Sequence, residues 1–357
     1  MFSFIIGEMR KFLIAIILLL GILFIIGKSS ELEAISATIQ QGSLPFILLA
    51  ILTQFFLLLG MAFLFKVIYQ AIGVEESLPG LLPVVLAANF VNIIAPSGGV
   101  SGITILISRA RSQRYSSARA MVAGALYVEF DYFGFLCILA LGLIVLFRRN
   151  NLSGVEIAAS FVLASAAVFL AVLLYLGMQS ADALGKTLKW LARGINRALY
   201  FYLKRDYLSL ERASIFAHDA AEGLSELKLN PKKIIRPMLL AIINKLLLVL
   251  ILYFTFRAFN VPISPGTIVA GFSIAYLFLI VSPTPAGLGF VEGTMTLALS
   301  TMYIPLETAA ILTLIYRGIT FWLPFFIGML AFRWVGLGEK GNQSTHSDVP
   351  QIPGSPS

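Results

Sequence analysis

The chain has 357 residues, 59% of them apolar and only 12% charged, and a formal net charge of +8. Soluble globular domains carry about a quarter charged residues, so this composition argues against a soluble enzyme and places the chain in a bilayer. The lone cysteine, Cys137, rules out an intramolecular disulfide, and the two histidines, His218 and His346, lie in polar segments away from any metal-ligand cluster.

Arg10 and Lys11 precede an apolar run over 12–27 that no small-x-small cleavage site follows, which predicts an uncleaved first span. Further apolar runs cover 45–69, 81–95, 103–108, 119–147, 156–178, 237–257, 266–282, 288–303 and 308–333. Two zones do not read as simple spans. Over 81–108, two short runs flank Pro96, Ser97, Gly98, Gly99 and Gly102; over 266–303, two more flank Pro283, Pro285, Gly287 and Gly289. Proline removes a backbone donor and clustered glycine breaks helices. Broken backbone is tolerated at membrane depth only where protein or a water-filled cavity satisfies it, so both zones read as re-entrant hairpins.

The expected fold is therefore an all-α polytopic membrane protein with about six full transmembrane helices and two re-entrant helical hairpins. With a cytoplasmic N-terminus, this topology puts 20 of the 26 basic residues inside and 4 outside, a strong positive-inside bias. Arg148 and Arg149 are the local exception. The transmembrane domain spans 1–335, with a first half at 45–147 and a second at 237–333, and 336–357 reads as a disordered polar tail. The halves share an order of span, hairpin and span in opposite orientation. A register shift of 189 aligns Pro96 with Pro285, Gly98 with Gly287 and Tyr127 with Tyr316. An inverted repeat with paired broken elements points to a midplane substrate path; chance matching of Gly- and Pro-rich turns is the competing reading.

Between the halves, 180–235 is the only sizeable polar segment. Trp190, Leu191, Ile195 and Leu199 recur at helical spacing beside Lys186, Lys189, Arg193 and Arg197. That pattern suggests amphipathic helices on the cytoplasmic leaflet, with an ordinary basic loop as the alternative.

Ionisable groups inside the membrane are costly, and each is a functional candidate. Here they are Glu129, Asp131, Lys245, Glu292 and Arg317. Glu129, Glu292, Arg317 and Lys245, with the amides Asn89 and Asn92, are candidates for a substrate path or gate. The bland alternative is that Glu129 or Glu292 merely pairs with Arg317 or Lys245 to tie the bundle. Asp131, two residues beyond Glu129, faces elsewhere on a helix, where another partner could meet it. Gly98, Gly99 and Gly102 either expose backbone N–H groups to an anion or allow close helix approach. Arg109, Arg111, Arg114 and Arg119 sit where they could recruit anionic headgroups, or serve only to set topology. Gly21 to Ser29 has five residues between its glycines where a P-loop needs four.

Three blocks carry a wider likeness: Pro96-Ser97-Gly98-Gly99-Val100-Ser101-Gly102, the stretch from Pro285 to Glu292, and the stretch from Tyr316 to Pro324. Together they resemble the lysylphosphatidylglycerol synthase transmembrane, or flippase-like, family over roughly residues 10–335. The resemblance implies a role in moving lipids between leaflets, and it makes Glu129, Glu292 and Arg317 the counterparts of the family's acidic and arginine positions. Phe130 departs from it, standing where the family has an arginine. Only a short tail follows residue 335, so the stand-alone form without an aminoacyl-transferase domain is expected, and no enzymatic activity, cofactor or metal.

The expected function is a lipid flippase-like transporter; the alternative is a non-transporting membrane partner of a lipid- or glycan-modifying enzyme. Expected partners are membrane lipids (an anionic or aminoacylated phospholipid, or a polyprenyl-linked lipid), with no nucleic acid. A prokaryotic plasma membrane with both termini cytoplasmic is the expected location.

Overall fold

The computed structural model describes residues 42–94, 100–113, 115–203, 209–262, 264–282 and 284–344. The first span at 12–27 lies outside them, as do Pro96, Ser97, Gly98, Gly99, Arg114 and Pro283. The described chain is all-α, and five of its helical segments are long and apolar enough to cross a membrane.

The first unit holds α1 (Leu44–Ala71), α2 (Leu78–Ile94), α3 (Val100–Ser112) and α4 (Ser117–Arg148). Then come α5 (Gly154–Gln179), α6 (Ala181–Leu203) and α7 (Leu210–Leu229). The second unit holds α8 (Ile235–Ala258), α9 (Pro265–Val281), α10 (Phe290–Thr301), α11 (Leu306–Arg317) and α12 (Leu323–Ser344). A π-helical turn, Gly318–Trp322, joins α11 to α12. The helix starts follow local capping chemistry. Ser116 Oγ accepts from the Ala118 N–H, Glu156 accepts from the Ser153 N–H, and Ser264 Oγ accepts from the Thr267 N–H.

Polar contacts sort the helix ends onto two sides. On one side the Ser43 N–H donates to the Ala258 carbonyl at 2.7 Å, joining the start of α1 to the end of α8. Arg149 donates to Ser264 Oγ at 2.7 Å and Thr267 Oγ1 at 2.9 Å, and Asn151 donates to the Thr301 carbonyl at 3.1 Å. Both ends of the α9–α10 hairpin therefore lie on this side, which also accounts for Arg149, the exception in the charge pattern. On the other side Arg109, in the last turn of α3, grips Glu76, just before α2, with contacts of 3.2 and 3.1 Å. Arg119 pairs there with Glu222 of α7 at 3.4 Å. Hairpin α2–α3 thus enters and leaves from the side opposite to hairpin α9–α10.

The core pairings are α1 on α8, α2 on α12 and α4 on α9. Exchanging the two units leaves this set of pairings unchanged, as an approximate two-fold relation in the membrane plane requires. Small residues let the helices close in. A side-chain carbon at Gly134 would fall 2.9 Å from the Ala241 carbonyl, and one at Gly142 would fall 2.2 Å from Ser273 Oγ. Helix α5 is peripheral: only 11% of its apolar window is buried, against 39% for α1 and α4, so its Phe161, Val168 and Tyr175 face lipid. The polar segment forms the two helices α6 and α7, packed on each other and against α5. The C-terminal stretch departs from expectation: α12 continues from its apolar turns as far as Ser344, through Gly336, Gly338 and Gly341. The rest of that tail lies outside the described residues.

Gly134→Val is expected to overpack the α4–α8 contact, at a cost of about 1–3 kcal/mol. Gly154→Ala, where a side chain meets open space, should be neutral. Thermal denaturation of the purified variants in detergent checks both.

Candidate functional site

The turn of the second hairpin meets the residues that flank the turn of the first. The 3-10 turn Pro285–Gly287 of the second hairpin contacts α2 of the first. Ala286 and Gly287 both take left-handed backbone conformations (φ 51° and 71°), which turn the chain sharply between α9 and α10. Ser282 Oγ accepts from the Thr284 N–H at 3.1 Å. At the first tip, Asn92 Oδ1 accepts from the Gly102 N–H at 2.6 Å and from Ser101 Oγ at 3.0 Å, so the end of α2 caps the start of α3.

Between the tips lies a cavity of about 610 Å³, with Asn89, Asn92, Asp131, Tyr276, Arg317 and Thr320 as its principal polar lining. A side chamber of about 180 Å³ shares Asn89, Tyr276, Arg317 and Thr320 and adds Gln54. Cavities of this size suit a small-molecule-sized group.

Two ion pairs flank the space. Lys245 of α8 bonds Asp131 of α4 at 2.6 Å. The Tyr276 hydroxyl accepts from the Lys245 ammonium and donates to Asp131 Oδ2 at 2.9 Å, and its ring lies 3.9 Å from the ammonium. Lys245 is 2% exposed and does not reach the cavity; Asp131 and Tyr276 do. In the second pair, Arg317 Nε donates to Glu292 Oε1 at 2.7 Å and Nη2 donates to the Ala286 carbonyl at 2.9 Å, with the guanidinium 4.6 Å from the Phe321 ring. Arg317 therefore holds the second tip in place, and the π-helical turn after it carries Thr320 and Phe321 into the cavity wall.

The sequence model for the lysylphosphatidylglycerol synthase TM region matches residues 12–328. The chain belongs to this lysylphosphatidylglycerol synthase transmembrane family. It is also similar to a protein described as a UPF0104 membrane protein from Methanothermobacter thermautotrophicus, at 24% identity over 90% of this chain and 94% of that one.

Of the family-type positions, Arg317 lines the cavity and Glu292 stands behind it as its counter-ion. Glu129 does not line the cavity. Successive helical residues are separated by about 100°, so Glu129 is turned away from Tyr127 and Asp131, and its Oε2 is buried without a hydrogen-bond partner. Lys245 reaches the path only through Asp131 and Tyr276. Asn89, Asn92 and Gly102 line it. Of the four arginines considered for headgroup recruitment, Arg109 and Arg119 are engaged with Glu76 and Glu222, Arg111 is exposed, and Arg114 is outside the described residues. Sequence reasoning left out Tyr276 and Gln54. The available signal was a phenol and an amide inside apolar runs, since buried polar groups require partners.

Asp131→Asn leaves the Lys245 ammonium buried without a counter-charge, and is expected to cost about 3–5 kcal/mol. Adding Lys245→Met should recover most of that loss. A thermal-denaturation double-mutant cycle reads the coupling, and additive losses would mean that the two side chains do not act as a unit.

Proposed function

We propose that the protein moves a lipid headgroup between leaflets through the cavity between its two hairpins. The carrying observation is that hairpins entering from opposite sides meet at one cavity with polar groups in its lining, deep in an otherwise apolar bundle. Transporters with inverted repeats have their sites at such junctions of broken helices. The polar lining offers a headgroup hydrogen bonds across the hydrocarbon region, while acyl chains remain against the lipid-facing helices. Membership of the family supports the same reading. The side carrying Arg109, Arg119 and the basic α6–α7 segment faces the cytoplasm on this account.

The test is leaflet exchange of fluorescent lipids in proteoliposomes of the purified chain, read by dithionite quenching across several headgroups. Protein-dependent exchange is expected. Val128→Trp, which fills the cavity from α4, should slow it by about tenfold or more, equivalent to about 1.4 kcal/mol on the barrier. Folded protein that exchanges no headgroup would favour a non-transporting partner of a lipid- or glycan-modifying enzyme.

A further inference from the structure

The charges of the cavity cancel. Among the described residues only two lining side chains are ionisable to a full charge near neutrality, Asp131 and Arg317. Each is held by an opposite partner, Lys245 at 2.6 Å and Glu292 at 2.7 Å. A headgroup with its own net charge would enter without a spare counter-charge and would have to break a pair to find one, at considerable cost. The rest of the polar lining is amide and hydroxyl.

One of those amides is unsatisfied. Gln54 of α1 is 1% exposed and lines the side chamber, and its Oε1 has no hydrogen-bond partner. A buried amide oxygen without a donor costs about 1–3 kcal/mol, whereas leucine at the same point of an apolar helix costs nothing of the kind. Asn89, Tyr276 and Thr320 face the same chamber, beside the Glu292-paired Arg317, so a ligand group reaching Gln54 passes further uncharged donors and acceptors as well as a guanidinium whose charge is already matched. The chamber has room for several waters, and a group that replaces them must reproduce their hydrogen bonds. Hydroxyls do so, since each can donate to Gln54 Oε1 and accept from a neighbour.

We infer that the side chamber is the headgroup subsite and that it takes an uncharged, hydroxyl-rich headgroup, a glycosyl group being the chemical class that fits, in preference to one carrying an anionic phosphodiester. This rests on the lipid-moving function proposed above and specifies its substrate class. Two of the surface arginines agree with it: Arg109 and Arg119 are paired with Glu76 and Glu222, while Arg111 stays exposed.

The test compares fluorescent monoglycosyldiacylglycerol with fluorescent phosphatidylglycerol in phosphatidylcholine proteoliposomes of the full chain. The glycosyl lipid is expected to exchange about tenfold faster or more, and Gln54→Leu to collapse that preference. Gln54→Leu removes an unsatisfied buried group, so its melting temperature should not fall. Phosphatidylglycerol exchanging as fast as the glycosyl lipid, or a preference unchanged in Gln54→Leu, overturns the assignment while leaving lipid movement standing. If neither lipid exchanges, the transport reading fails, and thermal stabilisation of the detergent-solubilised protein decides the site separately. Stabilisation by the glycosyl lipid that Gln54→Leu abolishes retains the subsite; no stabilisation, or stabilisation by phosphatidylglycerol alone, overturns it.

Discussion

Backbone that is not helical cannot sit in hydrocarbon with its N–H and C=O groups unmet, and the architecture follows from how this chain meets that demand at two places. At the first tip a side-chain amide does it, with Asn92 accepting from the Gly102 N–H. At the second a guanidinium does it, with Arg317 donating to the Ala286 carbonyl. Once Arg317 is committed to that carbonyl, its charge needs a partner in the membrane, and Glu292, in the first turn of α10, supplies it. The glycines that let α4 close on α8 and α9 bring the tips near enough to share one cavity.

The two buried ion pairs do different work. Arg317 and Glu292 both belong to the second unit, and they fix the shape of a single hairpin. Asp131 belongs to the first unit, while Lys245 and Tyr276 belong to the second, so this cluster fastens one half to the other. Any rocking of the halves about the cavity stretches the second cluster and leaves the first intact. Both pairs leave the cavity without net formal charge, which bears directly on what it can hold.

Much of this was legible in the residues. Proline and glycine flanked by runs too short to span marked both hairpins, and the distribution of arginine and lysine anticipated the sorting of helix ends onto two sides. The pairing of charges was not legible, because spacing along a helix says which side chains share a face but not what lies opposite. In the sequence Glu129 is the path candidate of its span and Asp131 faces elsewhere; the rotation of α4 against α8 gave the partner to Asp131 and left Glu129 off the path. Tyr276 and Gln54 escaped notice because neither carries a charge, and the chamber that gives them meaning is assembled from α1, α2 and every helix of the second unit. The helical extension to Ser344 was missed because its composition is polar, whereas its conformation continues that of the apolar turns before it.

The central claim is that the hairpin tips face a water-accessible cavity inside the membrane, and thiol labelling tests it most directly. In a Cys137→Ala background, single cysteines at Asn92, Thr284 and the lipid-facing Leu52 are exposed to a membrane-impermeant thiol reagent in reconstituted protein. The account predicts labelling at Asn92→Cys and Thr284→Cys and protection at Leu52→Cys. Protection at both tip positions, in protein that retains its thermal stability, would contradict it.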